Sequence, residues 1–120
     1  MKVLIIDDEK ALLTMYQDKM KTEGFEVVTA VDGEEGLDKA ITTKPDVILL
    51  DIIMPKLNGL DVLKQFKASD ETKDIPVYLL TNIPEVSAKK GEELGAAGYL
   101  FKAETEPSKL VDFLKGLTKK

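Results

Sequence analysis

The chain contains the run Val47-Ile48-Leu49-Leu50-Asp51, in which four consecutive apolar residues lead directly into a carboxylate. Two other runs have the same form: Val3-Leu4-Ile5-Ile6 leads into Asp7, and Val77-Tyr78-Leu79-Leu80 leads into Thr81. Continuous apolar runs of this length are typical of parallel strands that are covered on both faces. The three runs therefore predict strands of a parallel sheet.

Two more runs, Glu26–Ala30 and Gly98–Phe101, bring the predicted strands to five, and the mixed composition of the first indicates an edge strand. Amphipathic stretches with helical spacing separate the runs. The weakest of these stretches is 85–94, because Gly91 lies near its centre and a glycine costs a helix interior about 1 kcal/mol. Alternating strands and helices predict right-handed βαβ units, and hence an α/β fold with one parallel sheet.

The composition excludes several kinds of site. The 120 residues include no Cys and no His, which excludes disulfides, thiolate metal sites and histidine-based catalysis. All 17 basic residues are Lys and the net charge is −5, which argues against direct nucleic-acid binding. No apolar run approaches the roughly 18 residues of a membrane span, and the early charges do not resemble a signal peptide. We expect one cytoplasmic domain over 1–120, with no effector domain.

Polar residues follow four of the five predicted strands. They are Asp7 and Asp8 after the first, Asp51 after the third, Thr81 at the end of the fourth and Lys102 after the fifth. Ligands of open α/β sheets bind beyond the carboxyl ends of the strands. Three carboxylates beside one ammonium leave an excess of negative charge that a divalent cation would balance. All-oxygen ligands favour Mg²⁺ before Mn²⁺ or Ca²⁺, and this set of groups suits attack on a phosphoryl group.

A simpler interpretation is also open for these acids. Asp7, Asp8 and Glu9 precede a predicted helix, where acidic residues are favoured as caps. Thr81 could also be an ordinary β-branched strand residue, and Tyr99 could be an ordinary core aromatic. The positions of Asp51 and Lys102 favour the functional interpretation.

At this point the sequence resembles the response-regulator receiver family, of the chemotaxis-regulator type, over essentially its whole length. The motifs that carry the resemblance occur in order and with the family's spacing, and they are Ile6-Asp7-Asp8-Glu9, Asp51-Ile52-Ile53-Met54-Pro55 with Gly59, Leu80-Thr81, and Gly98-Tyr99-Leu100-Phe101-Lys102. The resemblance implies a flavodoxin-like, doubly wound sheet of five parallel strands in the order 2-1-3-4-5, with five helices.

The resemblance also implies a role for each site residue. Asp51 would be the phospho-acceptor, and Lys102 would form an ion pair with the phosphoryl group. Thr81 and Tyr99 would be the switch residues. The ligands of Mg²⁺, with Mn²⁺ as an alternative, would be Asp7, Asp8, Asp51 and the backbone carbonyl of Ile53.

The function implied is a phospho-accepting signalling switch rather than a turnover enzyme. Its donor would be a sensor histidine kinase or a phosphotransfer protein, and its downstream partner is not identified by the sequence. It would act as a monomer or as a weak phosphorylation-dependent dimer, without contacting nucleic acid or membrane. An alternative is an aspartyl-phosphate-forming phosphatase of the haloacid-dehalogenase type, but Asp7-Asp8-Glu9-Lys10 lacks the Asp-x-Asp spacing of that class. A flavodoxin-like cofactor carrier is disfavoured because the same acids would repel a phosphate.

The chain departs from the family pattern at two positions. Ala103 stands where the family usually has Pro after the Lys, and Asn82 stands where the residue after the Thr is usually small. The first departure concerns the loop after Lys102, and the second suggests narrower access to the phosphoryl site. Because a cis bond before a residue other than Pro costs about 2.5–4 kcal/mol, we predict a trans Lys102–Ala103 bond.

Overall fold

The structure is a computed structural model that describes residues 1–52, 58–82 and 85–118. Strands and helices alternate along the chain. The strands are β1 (Lys2–Ile6), β2 (Glu26–Ala30), β3 (Val47–Leu50), β4 (Val77–Thr81) and β5 (Gly98–Phe101). The helices are α1 (Lys10–Thr22), α2 (Gly33–Thr43), α3 (Gly59–Ala68), α4 (Glu85–Glu93) and α5 (Pro107–Thr118), and a 3-10 turn covers Lys102–Glu104.

The five strands form one parallel sheet in the order β2-β1-β3-β4-β5, which confirms the predicted fold. Ile6 of β1 is in register with Leu50 of β3, and Thr81 of β4 is in register with Phe101 of β5. The residue that follows each strand therefore lies at the same edge of the sheet. This edge is where the sequence places its polar residues.

The apolar runs are continuous because helices cover both faces of the sheet. Successive strand residues point to opposite faces, so Ile5 packs with α1 and α5 while Ile6 packs with α2 and α3. Every residue of β3 is fully buried, whereas β2 exposes Glu26 and leaves its next three residues half-buried. The mixed composition of β2 is thus that of an edge strand, as predicted.

Gly91, the residue on which the prediction of a weak α4 rests, has a packing role. A Cβ on Gly91 would overlap Cδ1 of Leu79, which belongs to the interior strand β4. The glycine therefore lets the helix approach the sheet at a position where alanine would favour the helix but collide with its neighbour.

No helix in the described ranges is long and apolar enough to cross a bilayer.

Candidate functional site

The site begins where β1 and β3 end, because the backbone pairing continues one residue beyond each strand. The Asp51 N–H donates to the Ile6 carbonyl at 3.0 Å, and the Asp7 N–H donates to the Ala30 carbonyl at 3.0 Å. These bonds fix Asp7 and Asp51 side by side at the carboxyl edge of the sheet. Both are buried, with exposed fractions of 2% and 5%, which is unusual for aspartates.

A third carboxylate completes an acidic cluster. Asp7, Asp8 and Asp51 each place one carboxylate oxygen within 4.8 Å of the others, and Asp8 is exposed while its two neighbours are buried. Hard carboxylate oxygens are the ligands that Mg²⁺ prefers, and Mg²⁺ usually keeps several waters and uses few protein groups. The cluster fits this ion, because its exposed member leaves one side open to solvent.

Lys102 reaches the cluster from β5. Its Nζ lies 2.6 Å from Asp7 Oδ2, 2.8 Å from Asp51 Oδ2 and 3.7 Å from Glu9 Oε1, with only 9% of the side chain exposed. Burial acts to lower the pKa of Lys102, but the hydrogen bonds to Asp51 and Asp7 outweigh it and raise that pKa to about 12. The lysine is therefore a permanent cation that bridges the two buried aspartates.

The charge of the site is not balanced by Lys102 alone. Burial raises the pKa of Asp7, although the hydrogen bonds from Lys102 and from the Glu9 backbone act in the opposite direction. A raised carboxyl pKa means that the ionised form lacks full compensation in this environment. A divalent cation among Asp7, Asp8 and Asp51 would supply that compensation, which is a second reason why the cluster fits Mg²⁺.

If Asp7, Asp8 and Glu9 only capped α1, their side chains would bind backbone N–H groups at its start, and one such bond is present, from the Glu9 N–H to Asp7. Glu9 is the N-cap residue of α1, but its side chain makes no capping hydrogen bond. Instead, the Glu9 N–H donates to Asp7 Oδ1 at 2.9 Å, while Asp7 Oδ2 binds Lys102. Both oxygens of Asp7 are thus held within the site, and the geometry favours the functional interpretation of the cluster.

Thr81 brings a buried hydroxyl to the same edge. The residue is 1% exposed, and its Oγ1 has no hydrogen-bond partner in residues 1–52, 58–82 and 85–118. A buried polar group left unsatisfied costs about 1–3 kcal/mol. Such a cost is expected where a ligand completes the hydrogen bond, and a hydroxyl donor suits a phosphoryl oxygen.

Gly59 determines how closely α3 approaches the site, a role that its place in a family motif does not reveal. Its N–H donates to the Ile52 carbonyl at 2.8 Å. A Cβ here would lie 2.5 Å from the Asp51 carbonyl oxygen and still closer to Ile52 Cα. The start of α3 therefore presses directly on the backbone that carries Asp51.

Lys102 begins a 3-10 turn. The Lys102–Ala103 bond is trans, as predicted: residues 1–52, 58–82 and 85–118 contain no cis peptide bond. Two contacts on this segment were not predicted. The Ala103 N–H donates to Asn82 Oδ1 at 2.9 Å, and the buried Tyr16 hydroxyl donates to the Thr105 carbonyl at 2.7 Å. Burial also raises the pKa of Tyr16, so this phenol remains a donor.

Of the remaining predicted residues, Tyr99 lies within β5 and Ile53 lies outside the described ranges. Tyr99 is half-buried in β5, and its ring packs edge-on against Phe101 with centroids 5.4 Å apart. Tyr99 also packs against the core layer under α2 and α3. The predicted carbonyl ligand Ile53 lies outside the residues that the structure describes.

Comparisons with known proteins agree with this geometry. Residues 3–115 match the family described as the response regulator receiver domain. The chain is 43% identical over 102 residues to the alkaline phosphatase synthesis transcriptional regulatory protein PhoP of Bacillus subtilis, covering 84% of this chain and 42% of PhoP. It is 40% identical over 100 residues to the transcriptional regulatory protein CpxR of Escherichia coli, covering 82% of this chain and 41% of CpxR. The chain thus spans about two fifths of the length of these curated relatives.

A solved structure resembles the fold over nearly its whole length. The chemotaxis protein CheY4 of Vibrio cholerae superposes with a TM-score of 0.87 and 33% identity, covering 96% of both chains. These matches give no support to the haloacid-dehalogenase alternative.

Proposed function

The chain belongs to the response regulator receiver family and is a phosphoacceptor signalling switch, and we propose that Asp51 is the residue that takes the phosphoryl group. The observation that carries this assignment is the place of Asp51 in the sheet. It follows β3, which lies between β1, the strand that leads to Asp7 and Asp8, and β4, the strand that ends at Thr81. A phosphoryl group on Asp51 would therefore have acidic metal ligands on one side and a hydroxyl donor on the other.

Asp7 is a poorer candidate for the acceptor. It follows β1, which β3 separates from β4, so a phosphoryl group on Asp7 would lie one strand further from Thr81. Its two oxygens accept from the Glu9 N–H at 2.9 Å and bind Lys102 at 2.6 Å. Asp8 is exposed, and the structure shows no hydrogen bond or ion pair that would orient its carboxylate within the described ranges. Asp51 is buried and oriented by Lys102 at 2.8 Å, which suits a nucleophile that must attack in line.

We propose that Asp7, Asp8 and Asp51 hold Mg²⁺, with Mn²⁺ as the alternative, and that the Ile53 carbonyl is the further protein ligand implied by the family. When bound, the ion supplies positive charge beside the transferring phosphoryl oxygens. Lys102 orients the Asp51 carboxylate before the reaction and afterwards pairs with a phosphoryl oxygen. Thr81 then donates its unpartnered hydroxyl to another of these oxygens.

Response regulators receive their phosphoryl group from histidine kinases or phosphotransfer proteins, and we propose a donor of this kind for the chain. In the transfer, an Asp51 oxygen attacks phosphorus and the bond from phosphorus to the donor imidazole breaks. The new group carries a charge near −2, so Lys102 and Thr81 form new contacts with its oxygens. We propose that this change reaches a partner through the β4–β5 side of the sheet, where Tyr99 lies. Chemistry of this kind is autocatalytic phosphorylation and hydrolysis rather than turnover of a small substrate.

The test is covalent labelling by acetyl phosphate with Mg²⁺, read by intact-protein and peptide mass spectrometry. We expect one phosphoryl group per chain on the peptide containing Asp51, no labelling in EDTA, and no labelling of Asp51→Asn. The matched control is Asp46→Asn, since Asp46 is an exposed aspartate next to the opposite end of the same strand. Labelling of Asp51→Asn at wild-type extent on the same peptide would show that the assignment is wrong.

A further inference from the structure

The 3-10 turn Lys102–Glu104 is short, and it carries the lysine that is the one cation paired with the cluster among the described residues. The backbone bond at its end joins the Thr105 N–H to the Lys102 carbonyl at 3.2 Å, the upper end of the usual range for such a bond. Ala103 and Glu104 are both exposed, so apolar packing does not fix them. Short 3-10 turns have poor hydrogen-bond geometry. The position of Lys102 must therefore depend on contacts from elsewhere.

Three side-chain contacts hold this segment. Thr105 Oγ1 donates to the carbonyl of Phe101, the residue directly before Lys102, at 2.8 Å, and the Tyr16 hydroxyl donates to the Thr105 carbonyl, at the far end of the turn, at 2.7 Å. Asn82 acts at the near end, because its Oδ1 accepts the N–H of Ala103, the residue directly after Lys102, at 2.9 Å. Among the described residues, Asn82 is therefore the side chain that fixes the backbone directly after the lysine, and the Thr105 side chain binds the backbone directly before it.

The contact also joins two parts of the site. Asn82 directly follows Thr81 in the chain, and Thr81 is in register with Phe101, the residue directly before Lys102. The bond requires a backbone N–H at position 103, which Ala supplies and which Pro would lack. The two departures from the family pattern, Asn82 and Ala103, are thus the acceptor and the donor of one hydrogen bond.

We propose that Asn82 is a positioning residue for Lys102: by holding the Ala103 N–H, it fixes where the lysine ammonium lies relative to Asp51 and to a phosphoryl group on it. The inference rests on the proposed function of Asp51 and Lys102. The Lys102 stem has several rotatable bonds, and its Nζ must meet Asp7 at 2.6 Å and Asp51 at 2.8 Å from one backbone position. Loss of the anchor lets that position vary, so fewer molecules present the ammonium correctly.

The first test measures the hydrogen bond itself in the metal-free protein. Amide exchange followed by NMR should show the Ala103 N–H exchanging about 3- to 10-fold faster in Asn82→Ala than in wild type, since the bond is exposed and its net strength is modest. Exchange at Leu63, in the middle of α3, should be unchanged. Equal exchange of the Ala103 amide in both proteins would overturn the inference.

The second test measures how well the site holds a phosphoryl analogue. The probe is beryllofluoride with saturating Mg²⁺, titrated against wild type, Asn82→Ala, Lys102→Met and the double variant. We expect Asn82→Ala to weaken binding about 3- to 10-fold and to leave the affinity for Mg²⁺ alone within about 2-fold. In the Lys102→Met background the same change should have no further effect, because Asn82 acts through the lysine.

The control for simple destabilisation is Thr72→Val. Thr72 is buried, and its hydroxyl donates to the Phe66 carbonyl at 2.6 Å, in the connection that leads to the opposite end of β4. This variant should unfold more easily yet bind beryllofluoride as wild type does. If wild type itself fails to bind, the proposed function is wrong. Two results would refute the positioning role alone. Either wild type binds beryllofluoride and Asn82→Ala binds it equally well, or Asn82→Ala weakens binding as much in the Lys102→Met background as in wild type.

Discussion

Replacing Gly59 by alanine should destabilise the domain and disturb the site at the same time. Gly59 is the first residue of α3, and an added Cβ would lie 2.5 Å from the Asp51 carbonyl oxygen and closer still to Ile52 Cα. Both neighbours are backbone atoms, so no rotamer change can relieve the overlap. Either α3 or the end of β3 must move, and the bond from the Gly59 N–H to the Ile52 carbonyl, now 2.8 Å, would be strained.

The magnitude follows from two opposing effects. Alanine is favoured over glycine in a helix interior by about 0.8–1.0 kcal/mol, and at the first helical position the gain is smaller. Overpacking of a tight site costs about 1–3 kcal/mol. The cost exceeds the gain, so we expect Gly59→Ala to lower the free energy of unfolding by about 0.5–2.5 kcal/mol. A thermal midpoint several degrees lower is the corresponding change for a domain of this size.

Gly116→Ala is the matched control, because Gly116 lies in α5 with no atom within 4 Å of an added Cβ. The same chemical change should raise stability there by up to about 1 kcal/mol. Gly91→Ala should fall between the two, since the atom it would overlap is the end of the flexible Leu79 side chain. Urea unfolding of the three variants gives the comparison, with the slope of the transition checked for constancy.

The same variants also test the effect on phosphorylation. Labelling by acetyl phosphate should be slower in Gly59→Ala than in Gly116→Ala, because only the first change displaces the Asp51 backbone. A Gly59→Ala protein as stable as wild type, measured beside a stabilised Gly116→Ala, would refute the argument that backbone contact with α3 sets the position of Asp51.

Four single variants test the charges and the buried hydroxyl of the site. Lys102→Met removes a cation that lies 2.6 Å from Asp7 and 2.8 Å from Asp51. This variant should therefore bind Mg²⁺ more tightly in calorimetric titration but accept phosphoryl groups more slowly. Weaker Mg²⁺ binding would contradict this. Asp8→Ala should weaken Mg²⁺ binding more than Glu9→Ala, because the carboxylate cluster includes Asp8 and not Glu9; equal affinities in the two variants would count against it. Thr81→Val should raise the stability of the unphosphorylated domain by about 1 kcal/mol, since it removes an unsatisfied buried hydroxyl. The same variant should bind beryllofluoride less tightly, and unchanged binding would exclude the hydroxyl from the site.

The sequence predicts most of the fold because each signal for it is local. Val3–Ile6 and Val47–Leu50 are apolar throughout since both faces of their strands are covered, and this property can be read directly from adjacent letters. The acidic cluster is predictable for a related reason. Once the strands are known to be parallel, the residues that follow them must meet at one edge of the sheet.

The unpredicted contacts depend on distances between segments that are remote in the chain. Helical spacing marks Tyr16 as a core residue, but its hydroxyl bonds a carbonyl 89 positions away, at Thr105. Gly59 has the form of a turn glycine, whereas its importance comes from the closeness of α3 to Ile52. Asn82 and Ala103 appear in the sequence as two separate departures from a pattern. Only the register of β4 and β5 turns them into partners.

The unpartnered hydroxyl of Thr81 sets the energy scale of the proposed switch. In the unphosphorylated domain, Lys102 has two carboxylate partners within 2.8 Å, while the Thr81 hydroxyl has none among the described residues. A phosphoryl group on Asp51 would give that hydroxyl an acceptor and give the lysine a more highly charged partner. Recovering an unsatisfied buried donor is worth about 1–3 kcal/mol, which is also the usual range of allosteric coupling free energies. One hydrogen bond at the end of β4 is therefore sufficient, in this mechanism, to shift the populations of two conformations.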